Sequence, residues 1–113
     1  MIELTKDADK MLCCLYKEYL QRIKYGNSKS SSRFFKMEYT KSDSILSKWH
    51  HDDVCTTRNE LKNNGLLKVQ ISGNFELTDN AISYMENRFK SGIAEVTKHL
   101  ANLVAEIAIN RII

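Results

Sequence analysis

The sequence predicts an α+β fold, mainly α, and three observations carry that reading. Apolar residues at 3-4 spacing mark a first helical face through Leu12, Leu15, Tyr16, Tyr19, Leu20 and Ile23. The period changes after Gly65, where "LLKVQI" and "NFELT" read as two short strands joined by the tight hairpin signal "SGN". From residue 93 the helical period returns, with Ile93, Val96, Leu100, Leu103 and Ile107 at 3-4-3-4 spacing.

With no proline in the chain, glycine, asparagine and serine mark the boundaries. The first helix runs from Thr5 to Tyr25. Thr5 suits its N-cap, Asp7 and Asp9 suit the positive end of its dipole, and "GN" at 26–27 stops it. "SKSSSR" reads as a short polar loop, and "FFKMEY" fits a brief strand or a helix turn equally. "TKSDSILSKW" opens with a capping box, Thr40 with Asp43, and sets Ile45, Leu46 and Trp49 on one side of a short helix. "HHDD" is a break in which Asp52 or Asp53 caps the next helix, Val54 to Asn63, whose inner face carries Val54 and Leu61. "NNG" ends that helix, because Gly65 adopts the left-handed conformation without a Cβ clash. After the hairpin, Thr78 caps another helix, with Leu77 and Ile82 at the positions of a hydrophobic staple.

At 113 residues the chain is large enough for one modest core, and 42% hydrophobic with 27% charged residues is ordinary for a globular protein. The formal charge is only +3, but residues 22–48 hold seven basic side chains against Glu38 and Asp43. Arg22, Lys24, Lys29, Arg33, Lys36, Lys41 and Lys48 make this a local basic segment suited to a polyanion. Three cysteines, two of them adjacent and none in a CxxC, predict a reducing cytoplasm and no disulfide framework. "MIELTKDADK" lacks the basic start and apolar run of a signal peptide. Glu95, Lys98, His99, Glu106 and Arg111 interrupt the apolar C-terminal end too often for a membrane span.

"TTRNELKNNGLLKVQISGNFELTDNAISYMENR" resembles the second half of a winged helix-turn-helix domain. The matching features are Leu61, three polar residues, Gly65 and the pair Leu66–Leu67, then a two-stranded wing, then Leu77, Thr78, Ala81 and Tyr84. The resemblance spans roughly residues 5–90 and is closest to small winged-helix proteins of Gram-positive bacteria and their phages. It implies a winged helix-turn-helix over residues 1–90 with an N-terminal helix, followed by a long C-terminal helix over 91–113.

On that frame the expected partner is double-stranded DNA, and the expected function is a small dimeric transcriptional regulator. Polar residues near the start and middle of a recognition helix read bases, which singles out Thr56, Thr57, Asn59, Lys62 and Asn63, with Arg58 at a phosphate or a guanine. Lys41 and Lys48 are expected at phosphates, and Lys68 is the DNA-facing charge nearest the wing tip. The wing tip, Ser72 to Asn74, can reach a minor groove but lacks Arg or Lys. The C-terminal stripe of Ile93, Val96, Leu100, Leu103 and Ile107, with Val104, Ala108 and Ile112 beside it, is wide enough to require a cover. The first helix can take part of it, and a homodimer partner is expected to take the rest. The rival readings are a winged helix used for protein–protein contact, which the acidic pair Asp52–Asp53 allows, and a replication or packaging accessory.

Two chemistries are not expected. "HHDDVC" suggests a metal, yet only His51 and Cys55 have i, i+4 spacing, and His99 stands alone on a distant helix. The stretch is therefore read as a cap and turn, with no metal or cofactor. Nor is an enzyme expected, because no phosphate loop, carboxylate pair or Ser/His/Asp set stands out.

Overall fold

The computed structural model describes residues 3–112, and their side chains as far as Val104. Six helices and three short strands follow one another as α1 (Lys6–Lys24), α2 (Lys29–Ser32), β1 (Phe34–Phe35), α3 (Tyr39–Ser42), α4 (His51–Asn63), β2 (Leu67–Val69), β3 (Phe75–Leu77), α5 (Asp79–Arg88) and α6 (Ile93–Ile112). A 3-10 turn, Leu46–Lys48, lies between α3 and α4. The fold is mainly helical, with one small antiparallel sheet in the order β1-β3-β2.

Local signals set most of the joints. The Ala8 and Ala81 amides donate to the hydroxyls of Thr5 and Thr78, so both threonines cap as their positions predict. At the end of α4, Gly65 has φ +75°, its amide donates to the Lys62 carbonyl, and the Leu66 amide reaches back to Leu61 at 2.9 Å. That pair of bonds is a Schellman ending, and only glycine adopts it without strain. Thr78 then donates its hydroxyl to the Gly65 carbonyl at 2.7 Å, tying the start of α5 to the end of α4.

Three expectations are corrected and one open choice is resolved. "SKSSSR" is not a loop: Ser28 accepts from the Ser31 amide and starts the short α2. "FFKMEY" is both of its alternatives, since β1 pairs with β3 and α3 begins at Tyr39. Thr40 does not open a helix that runs on to Trp49. It is buried inside α3, and the Asp43 carboxylate instead accepts from the Ile45 and Leu46 amides, both at 2.9 Å, which restarts the chain as a 3-10 turn. Nor does Asp52 or Asp53 cap α4. The cap is His50, whose Nδ1 accepts from the Asp52 amide, leaving both aspartates exposed in the first turn.

One core joins every layer. Met11, Leu12, Leu15 and Tyr16 of α1 meet Leu61 of α4, the rings of Phe35 and Phe75 from the sheet, and Val96 and Leu100 of α6. The chain passes from α5 into α6 through Gly92, which has φ +76° and nothing within 4 Å of where a Cβ would stand. The first half of α6 thus lies on α1 within the same core, and the boundary at residue 91 separates elements, not cores.

Candidate nucleic-acid interface

Helix α4 offers the clearest polar surface. Val54, Thr57 and Leu61 turn inward, while Thr56, Asn59, Lys62 and Asn63 are exposed along its outer side. Its position is fixed from the N-terminal end of α1, where the Glu60 carboxylate accepts from the Thr5 amide and hydroxyl at 3.0 and 2.7 Å. Thr57 is a correction: at 4% exposure it cannot touch DNA. It lies three residues from Val54 and four from Leu61, so the helical period carries it inward with them.

Arg58 is half-buried. Its Nη2 approaches the Cys55 Sγ at 3.8 Å, and its Nε is buried without a hydrogen-bond partner among the described atoms. The Cys55 Sγ is also 3.5 Å from the His51 Nε2, the i, i+4 contact that the sequence spacing suggests. No third metal-capable side chain joins those two among the described residues.

The basic segment divides in two. Arg22 donates to the Ser32 and Phe34 carbonyls, pairs with Glu18 and lies 4.5 Å over the Phe35 ring. Arg33 donates to the Leu77 carbonyl and pairs with Asp79. These two arginines hold β1 in place and are not offered to a partner. Lys24, Lys29, Lys36, Lys41 and Lys48 are all exposed and keep the segment basic at the surface. Lys68 is exposed too, but it faces Glu76 across the β2–β3 pair, which offsets its charge.

The hairpin turns over Gln70–Gly73, where the Gly73 amide donates to the Gln70 carbonyl. Ile71, expected in the strand, stands at the tip of this turn and is fully exposed. Met37 packs on Gly73, and the Met37 amide donates to the Asn74 side chain, so the tip is braced from below.

The dimer stripe is only partly available. Val96 and Leu100 are buried within the chain against α1 and cannot also form an interface, which corrects their assignment. Ile93 and Leu103 are half-buried, Val104 is 40% exposed, and the side chain of Ile107 lies outside the described residues. His99 is not alone: α6 sets it beside Asp9 of α1 and Arg88 of α5. No short-range signal reveals this group, because Asp9 and His99 are 90 positions apart.

No helix among the described residues is long and apolar enough to cross a membrane. No protein family, curated protein or solved structure matches the chain.

The cap gives the first expected result. His50→Ala should remove an acceptor for the free amides of α4 and cost roughly 0.5–2 kcal/mol, read as a lower thermal midpoint. Asp52→Asn should cost less, since that side chain lies outside the cap. Equal losses would mean that the charge of the first turn, not the cap, holds the helix end.

Proposed function

We propose that the chain is a winged helix-turn-helix protein that binds double-stranded DNA, as a dimeric transcriptional regulator. The observation that carries this reading is the exposed polar side of α4, bounded at its end by a β2–β3 hairpin to which β1 is added. A helix with an inner apolar face and an outer row of Thr56, Asn59, Lys62 and Asn63 has the width and the donors that a major groove accepts. Lys41 and Lys48 flank the approach to α4 in sequence and are exposed, which suits contacts to phosphate. The C-terminal part of α6, beyond Leu100, is the proposed dimer contact. Two-fold symmetry would then repeat the recognition helix about one DNA turn away.

The second reading, a winged helix used for protein contact, is favoured by the hairpin tip. Ile71 is fully exposed there with no lysine or arginine in Gln70–Asn74, and Asp52 and Asp53 place negative charge at the exposed start of α4. A labelled duplex carrying the DNA that flanks the gene, titrated over a range of salt, separates the two. For DNA binding, Lys41→Ala with Lys48→Ala should weaken every sequence alike and lower the salt slope by about 1 per lysine. Asn59→Ala or Lys62→Ala should cost roughly 1–3 kcal/mol on the cognate site and little elsewhere. A titration that stays flat at low salt rejects the DNA reading and leaves protein contact standing.

A further inference from the structure

Asp9 and Cys13 stand one helical turn apart on α1, and α6 lays His99 against them. The ligand atoms of the three lie within 4.8 Å of one another, and among the described residues no other trio of histidine, cysteine or carboxylate does so. The Cys13 Sγ is 3.8 Å from Asp9 Oδ1, and the His99 Nε2 is 3.1 Å from Asp9 Oδ2. Cys13 is buried, whereas Asp9 and His99 are half-buried, and Asp9 lines a surface depression with Leu4, Thr5, Tyr84 and Arg88. The trio is thus closed on the protein side and reachable from solvent.

The other occupant of this group is a cation already. Arg88 pairs through Nη1 with Asp9 Oδ1, donates from Nη2 to Asp9 Oδ2 at 2.9 Å, and brings the same Nη2 to 2.8 Å from the His99 Nε2. One imidazole nitrogen therefore faces both a carboxylate oxygen and a guanidinium nitrogen. If it carries a proton, it donates to Asp9 and opposes the Arg88 N–H. If it does not, it accepts from Arg88, whose Nη2 also donates to Asp9 Oδ2. In that state one cationic group holds the lone pairs of His99 and Asp9 together, and a metal ion would take the same lone pairs and supply the positive charge that Arg88 now provides.

We propose that Asp9, Cys13 and His99 form a binding site for a divalent metal of the zinc class, with Arg88 holding the cation's place in the metal-free protein. One nitrogen, one sulfur and one oxygen ligand select zinc or cobalt over magnesium or calcium, and leave a fourth position for water. The Arg88 side chain is 27% exposed, so it can swing outward when the metal enters. On binding, the Cys13 thiol loses its proton to solvent as the metal–sulfur bond forms. The bound metal would link α1 to α6 directly. This inference is independent of the DNA-binding reading.

The test uses untagged full-length protein, stripped with chelator and titrated with Co²⁺. One equivalent should give a thiolate-to-cobalt charge-transfer band that Zn²⁺ abolishes, and Zn²⁺ should raise the melting temperature. Cys13→Ser and His99→Gln should each lower the affinity by more than about 100-fold, the upper end of what losing an outer-shell partner costs. Cys55→Ser should leave the band intact. Arg88→Gln should bind more tightly, because the competing cation is gone. A wild-type titration with no such band overturns the proposal whether or not any variant folds. So does a band that survives Cys13→Ser but vanishes with Cys55→Ser, which would place the metal on α4. Unchanged or weaker binding in a folded Arg88→Gln protein would also overturn it.

Discussion

Phe75→Ala is expected to lower the unfolding free energy by about 3–5 kcal/mol, read as a fall in denaturant midpoint at constant slope. Phe75 sits in the central strand of the sheet, paired with Phe35 on one side and Val69 on the other. Its ring stacks on that of Phe35 at 5.5 Å between centroids and 10° between planes, and both rings are buried. The two ladders hold their backbones in place, so the neighbours cannot close the space that the ring leaves. A domain of this size has roughly 5–15 kcal/mol of stability in all, and the loss would be a large part of it. Phe75→Leu keeps most of the volume and should cost less than about 1.5 kcal/mol. Equal and small losses in both variants would mean that the sheet is held by its edges and by Arg33, not by the stacked rings.

The contrast between what was legible and what was not follows from the range of each interaction. The caps at Thr5 and Thr78 and the ending at Gly65 depend on residues within five positions, and each stands where its local pattern puts it. The caps at Asp43 and His50 are less legible, because Thr40, Asp52 and Asp53 stand within three positions of them and carry side chains that can cap as well. Arg22 and Arg33 read as free charge, since their partners are mostly backbone carbonyls that composition does not show. Asp9, Arg88 and His99 come from three helices, and only tertiary packing brings them together. Thr57 is a different case. The period that puts Val54 and Leu61 inside also puts Thr57 inside, and only its polarity argues for the surface. Buried threonine is tolerated, so the period was the better guide.

Leu100→Glu and Val104→Glu are expected to behave differently, although they are one turn apart on the same helix. Leu100 is 3% exposed in the core between α6 and α1. A glutamate there removes the packing of a leucine and buries a carboxylate without a partner, a loss of roughly 3 kcal/mol or more. That variant should melt early whether the wild type is a monomer or a dimer, so its oligomeric state says nothing about an interface. Val104 is 40% exposed, and a glutamate at that position keeps its charge in water unless a second chain covers it. In a monomer the change should move stability by no more than about 0.5 kcal/mol. If the C-terminal part of α6 is the dimer contact, the wild type should sediment as a dimer and Val104→Glu as a folded monomer with the melting behaviour of a diluted wild type. A wild type that sediments as a monomer at high micromolar concentration rejects the dimer. A Val104→Glu protein that remains fully dimeric moves the contact off this face of α6.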